Sequence, residues 1–284
     1  MQEKGVEQLE SELNKKTKLV VMLAPSFVAE WSYPEVLLKL RKLGFDKAVE
    51  LTFGAKMINR IYHKKLKNLK KGEIVISSVC AGIQQTILGK YPKLKKNLIK
   101  IDSPMIAMGK VCKKFYPDYK IVFIAPCEFK KIEAKNSENI DFVINYQELN
   151  KLFDKYKIKI NKLECKGHSC LFDKFYNDYT KIYPLAGGLS KTIHLKGILK
   201  KDEIEIIDGI LKVEKFLENP KKGIKFLDVN FCEGGCVGGP ALRKDLTLKQ
   251  KKQRVLDYIK VSNVECIPEN RKGLIEKAKG LKFG

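Results

Sequence analysis

Arginine and histidine are scarce in this chain. Its 284 residues carry 56 lysines and arginines against 33 acidic residues, a formal net charge of +23. Yet only Arg41, Arg60, Arg243, Arg254 and Arg271 are arginine, and only His63, His168 and His194 are histidine. Base edges and phosphate forks are read mainly by arginine. The lysines are spread along the chain rather than gathered in one arm, and no nucleic-acid recognition motif is present. The charge therefore reads as a solvated surface, with no nucleic acid expected as a partner. A basic field of this size does attract acidic proteins, such as an electron carrier. Long apolar runs are also missing. None approaches the roughly 18 to 20 residues of a membrane span. The opening "MQEKGVEQLESELNKKTK" lacks the apolar core of a signal peptide. These absences point to a soluble, cytoplasmic protein with no membrane partner.

What is present begins with a rhythm. "KLVVMLAPS" is a continuous apolar run ending at a proline, as buried parallel strands do. "YPEVLLKLRKLGF" follows with Val36, Leu37, Leu40 and Leu43 at helical spacing. "KAVELTFGA" reads as a second strand, "KMINRIYHKKLKNLKKG" as a basic amphipathic helix, and "GEIVISSVC" as a third strand. A helix from about Ala81 to Lys90, a fourth strand in "YKIVFIAPC" and a fifth in "IDFVINY" continue the pattern. Such alternation predicts an α/β fold with mainly parallel sheets flanked by helices. Later segments are less regular. "YQELNKLFDKYKI" reads as a helix, "IYPLAGGLSKT" as a loop, "DEIEIIDGILKVEKFLENP" as one long helix, "GIKFLDVNFC" as a strand and "LTLKQKKQRVLDYIK" as a solvated helix.

The chain has eight cysteines, at 80, 112, 127, 165, 170, 232, 236 and 266. Disulfides are not expected in a cytosolic chain of this size; metal binding or redox chemistry is. Three predicted strand ends deliver four of the thiols: Cys80, Cys127, and the pair Cys232 and Cys236 in "NFCEGGCVGGPAL". Ligands of α/β sheets gather beyond the carboxyl ends of the strands, which also places Pro25 and Ser26 there. Four thiolates suit zinc or an iron–sulfur cluster. Zinc sites usually draw close cysteine pairs from small knuckles, whereas these ligands are far apart in sequence. Gly234, Gly235, Gly238 and Gly239 are expected to let the backbone approach a bulky ligand and aim N–H groups at anionic sulfur. Cys112, at helical spacing from Met105 and Met108, reads as core, and Cys266 as structural. Cys165 and Cys170, with His168 in "CKGHSC", are a minor candidate for a second metal site.

At this point the residues resemble a known family. "SSVC", "APCEFKKIE" and "DVNFCEGGCVGGP" are similar to the three signature loops of the [FeFe]-hydrogenase catalytic domain. The second loop of the family runs Pro-Cys-x-x-Lys-x-x-Glu, here Pro126, Cys127, Lys130 and Glu133. The third has two cysteines four apart and then glycines, here Cys232, Cys236, Gly238 and Gly239. "APS", "ELTFGA" and "YPKLKKNLIKIDSP" also resemble it, and the likeness runs from about residue 18 to about 245. The resemblance implies two intertwined α/β lobes, about 18–150 and about 151–284, behind an N-terminal helical extension of residues 1–17. It implies an H-cluster between the lobes: a [4Fe-4S] cubane joined through a cysteine sulfur to a two-iron subcluster with CO and CN ligands. Cys80, Cys127 and Cys232 would hold the cubane, and Cys236 would bind it and bridge to the two-iron unit. Lys130, Ser26 and the backbone near Pro25 and Pro126 would face the cyanides, and Glu133 would pair and orient. A ferredoxin or a signalling partner would exchange electrons or read the state, and maturation factors would load the two-iron unit.

Departures from the family pattern are as informative. Hydrogen-evolving members carry a proton-relay cysteine where this chain has Val79, a proline at Ala81 and a tryptophan at Ile83. Pocket methionines are replaced by Ala125 and Asn230, and Ile61, Tyr62 and Lys65 stand where proton-path glutamates are placed. The pattern is closer to the sensory branch of the family than to the hydrogen-evolving one. Three readings follow. One is a hydrogenase or hydrogen sensor. A second is a cubane-only protein acting in electron transfer or iron–sulfur assembly. The third is a basic binding module with incidental cysteines.

Overall fold

The computed structural model describes residues 5–161, 164 and 170–284. Helix α1 (Val6–Asn14) turns Leu9 and Leu13 into the same core as the first strand. Then come β1 (Leu19–Leu23), α2 (Glu35–Leu43), β2 (Lys47–Glu50), α3 (Thr52–Lys67), β3 (Val75–Ile76), α4 (Ala81–Lys90), α5 (Pro104–Phe115), β4 (Lys120–Ala125), α6 (Phe129–Lys135), β5 (Phe142–Asn145) and α7 (Tyr146–Lys155). The second half supplies α8 (Gly188–Thr192), β6 (Ile204–Asp208), α9 (Ile210–Glu218), β7 (Phe226–Asn230) and α10 (Leu248–Val264). None of these helices is long and apolar enough to cross a membrane.

Two parallel sheets organise the chain. One runs β2-β1-β4-β5 and the other β3-β7-β6. Strand β3 comes from the first half yet pairs with β7, so the two halves interlock. The central strands β1 and β7 are buried at every residue, the signature of parallel strands covered on both faces. This is the α/β architecture expected, matching in layers and strand direction.

Local chemistry explains the boundaries. Val36, Leu37, Leu40 and Leu43 form the buried face of α2. Asn145 starts α7 with a reciprocal cap: its Oδ1 accepts from Glu148 N at 2.8 Å, and Glu148 Oε2 accepts from Asn145 N at 2.7 Å. One expectation fails. The stretch from Asp202 to Pro220 is not one helix but β6 followed by α9. The break is Gly209, at φ +93, a conformation that side chains rarely adopt. The tail of the "IYPLAGGLSKT" loop also closes into the short helix α8.

Candidate metal centre and its pocket

The four cysteines follow three strand ends, those of β3, β4 and β7. Cys80 caps α4, Cys127 follows β4 by two residues, Cys232 follows β7 by two, and Cys236 opens a short 3-10 turn over Cys236–Gly238. The four thiols are free and half-buried. Each of Cys127, Cys232 and Cys236 is pushed upward in pKa, first by burial and then by its neighbouring thiols; Cys232 reaches about 12. Cys80 acts on Cys127, both act on Cys232, and all three act on Cys236, so the four form one electrostatic group. Among the described residues no three Cys, His, Asp or Glu side chains converge closely enough to hold a single metal ion. Four thiols in one electrostatic group are the donor set that an iron–sulfur cluster takes.

A cavity of about 70 Å³, room for a few waters, opens beside Cys236. Ser26, Pro25, Pro126, Lys130 and Cys80 line it, as do Val79 and Asn230. Lys130 enters from α6, where its ammonium pairs with Glu133 and donates to Val79 O at 3.3 Å. Burial draws the Lys130 pKa down, but Glu133 and the Cys127 and Cys80 thiols outweigh it, so the net shift is upward. A cation is thus fixed at a wall shared with two thiols. Ser26 is fully buried, and its hydroxyl shares a 2.6 Å hydrogen bond with the Tyr146 hydroxyl.

The glycine-rich loop does something other than expected. Gly235 N donates to Cys232 O at 3.1 Å, Gly238 N to Gly235 O at 3.0 Å, Gly239 N to Cys236 O at 3.0 Å, and Gly234 N to the Asp208 carboxylate. These N–H groups are bound within the protein rather than aimed at sulfur. A Cβ at Gly235 would lie 2.5 Å from Pro184 O, and one at Gly239 would lie 2.7 Å from Pro126 O. The glycines let the loop fold tightly on itself and press against neighbouring backbone, and that packing sets where Cys232 and Cys236 stand.

Several contributors were not singled out from the sequence. Asp208 anchors the loop, and it was hidden by reading β6 as helix. Tyr146 holds Ser26, and Phe231 packs against Gly82 and Phe129. An aromatic beside each of two cysteines was the only available signal for the last. Cys112 is buried in α5 as core, whereas Cys266 is exposed. Cys170 is buried and disulfide-bonded, so the expectation of no disulfide does not hold for it. Cys165 and His168, the other members of the second-site candidate, lie outside the described residues.

Parallel sheets that carry four thiols at strand ends, with a cavity alongside, define an α/β protein with a cysteine-lined site. The chain belongs to the family described as the iron only hydrogenase large subunit, C-terminal domain, whose model matches residues 17–240. It is similar to iron hydrogenase 1 of Clostridium pasteurianum, with 28% identity over 253 residues covering 70% of this chain and 44% of that protein. The chain therefore spans less than half the length of that relative. Among solved structures, a variant of the [FeFe]-hydrogenase HydA1 from Chlamydomonas reinhardtii superposes with a TM-score of 0.66 at 16% identity, covering 95% of this chain and 90% of that one. An apo variant of the same protein gives a TM-score of 0.65 at 17% identity over the same shares. These likenesses carry the fold.

Proposed function

We propose that this protein is an iron–sulfur protein of the H-cluster type, with Cys80, Cys127, Cys232 and Cys236 holding a [4Fe-4S] cubane. Cys236, which lines the cavity together with Lys130 and Ser26, would also bridge to a two-iron unit there. The observation that carries the reading is this cavity, where two thiols, Cys80 and Cys236, one fixed ammonium and one buried hydroxyl face the same space. When bound, such a group supplies the redox chemistry of hydrogen. The protein's own residues do the rest. Lys130, held by Glu133, offsets negative charge in a poorly solvated pocket. Ser26, oriented by Tyr146, offers a hydroxyl, and the apolar walls exclude water. Gly238 and Gly239 act by fixing the turn that carries Cys236.

Val79 lines this cavity and cannot carry a proton. That favours hydrogen sensing or slow turnover over fast hydrogen production, and placement near the sensory branch. The partner class is an acidic carrier such as a ferredoxin, drawn by the basic surface, or a signalling protein; maturation factors are needed if the two-iron unit is loaded. The cytoplasm is the compartment that suits such a cluster. A second reading, the cubane-only protein, is favoured by the small volume of the cavity and by the polar Asn230 in its wall.

An infrared spectrum of anaerobically matured protein separates the two. Bands in the region of metal-bound CO and CN mean that a two-iron unit is held. Iron and sulfide without those bands, with maturation proven on a control hydrogenase, mean the cubane alone. No iron or sulfide after reconstitution overturns both.

A further inference from the structure

A second cleft lies away from the cysteine group, with a volume of about 1050 Å³. One wall is the outer face of α3, another the segment from Tyr179 to His194, and the third the C-terminal segment 275–283. That last wall lies beyond residue 240, where the family match ends, so the cleft is not a property of the matched domain alone.

Its charge is one-sided. Lys56, Arg60, Lys64 and Lys279 line it, with Glu276 as the sole carboxylate among the lining residues. Some lysines of this chain are paired, as Lys65 is with Glu73 one position along α3. In the cleft, by contrast, Arg60, Lys64 and Lys279 form no ion pair among the described residues. Lys56, its Nζ donating to Gly273 O at 3.0 Å, is lowered in pKa by burial first and by the Arg60 guanidinium next. Four cations held near one carboxylate, Glu276, which acts on Lys56, keep an excess of positive charge that favours an anion between them.

Two further observations specify the anion. Tyr179 and His194 stack with ring centroids 4.8 Å apart and planes 9° from parallel, and both are exposed at the cleft. His194 keeps this position at φ +54, a sparsely populated conformation for a non-glycine residue. The pair forms a flat platform for a planar ring. Asn59, only 5% exposed, lines the cleft beneath. Its Nδ2 donates to Thr192 O at 3.1 Å and to Thr192 Oγ1 at 2.8 Å, which fixes the amide orientation. The buried Oδ1 is left with no hydrogen-bond partner. Buried acceptors are rarely left so, and this one calls for a donor.

We infer that this cleft binds a phosphorylated nucleoside: phosphates against Arg60, Lys64 and Lys279, the base on the Tyr179–His194 platform, and a base or sugar donor to Asn59 Oδ1. The inference is independent of how the cysteine group is loaded. It gives the protein a ligand input separate from its metal centre.

Calorimetric titration of the full chain with ATP, adenosine and inorganic tripolyphosphate, at low and at physiological salt, tests it. ATP is expected to bind more tightly than either fragment, and more weakly as salt rises. Arg60→Glu, an exposed position, should weaken ATP about tenfold. Tyr179→Ala should weaken ATP and adenosine but leave tripolyphosphate unchanged. No ATP binding at millimolar concentration overturns the inference. Equal binding of ATP and tripolyphosphate, indifferent to Tyr179→Ala, also overturns it and leaves a nonspecific polyanion surface.

Discussion

The ring of Phe231 meets the ring of Phe129 edge-on, with centroids 4.8 Å apart. Phe231 stands beside Cys232, Phe129 lies two residues after Cys127, and Phe231 also fills the space over Gly82, two residues after Cys80. A Cβ at Gly82 would come within 2.9 Å of the Phe231 side chain. One aromatic thus sets the spacing of three thiol-bearing loops. Gly82→Ala forces Phe231 away, and overpacking of this kind costs about 1–3 kcal/mol. Urea unfolding should show that loss, and iron bound per chain after anaerobic reconstitution should fall with it. Unchanged midpoint and iron content would mean that Phe231 is not a spacer.

Val79 lines the cavity beside Cys80. It offers no proton, and a positioned acid–base group typically contributes a hundredfold or more to rate. Val79→Cys is expected to raise hydrogen turnover of matured protein by roughly tenfold to a hundredfold. A hydrogen-evolution assay showing no gain, on protein with verified CO and CN bands, would count against the relay argument.

Asn230 is 8% exposed, lines the same cavity, and has no side-chain hydrogen bond among the described residues. Its amide is free for whatever occupies the cavity. Asn230→Leu should move the CO and CN bands of matured protein while leaving iron content intact. Bands that stay put would show that the amide faces no bound group.

The α/β class and most strand positions could be read ahead because apolar runs leave compositional marks. β1 is an unbroken apolar run, β4 is one after Lys120, and β7 is interrupted only by Asp228 before it ends at Asn230. The helix read across residues 202–220 failed because "EIEII" satisfies either period, and only Gly209 marked the turn. The glycine loop was identified, but its purpose was misjudged: sequence shows that a side chain is absent, not which backbone fills the space. Tyr146, Asp208 and Asn59 act through partners more than 20 residues away. Contacts at that distance leave no local pattern.

Lys181 and Glu50 form a wholly buried pair, 3.6 Å apart, with Lys181 Nζ 4.0 Å from the centroid of the Tyr258 ring. Burial raises the Glu50 pKa, and the Lys181 charge opposes that. Removing one partner leaves the other charge uncompensated, at a cost of about 3–5 kcal/mol. Lys181→Met alone should therefore be severely destabilising. Adding Glu50→Gln should recover much of the loss. Chemical denaturation of both variants checks this; a double variant no better than the single one would place the cost in packing rather than charge.

Asp228 sits inside β7, where its Oδ2 accepts from Ser190 N at 2.9 Å and from Ser190 Oγ at 2.7 Å, tying α8 to the sheet. Burial raises its pKa, and the two Ser190 bonds only partly offset that. A carboxyl whose folded pKa lies above its unfolded value binds its proton more tightly in the folded state. Its contribution to stability is greatest below the unfolded pKa, near 3.9, and declines as pH rises toward the folded value. Asp228→Asn keeps an acceptor for Ser190 and removes the ionisation. The variant should gain stability relative to the native chain as pH goes from 4 to 7, measured by urea unfolding at both values. A difference between the two proteins that does not change with pH would show that Asp228 is ionised at no cost, and that the carboxylate, not the neutral acid, is the form the fold holds.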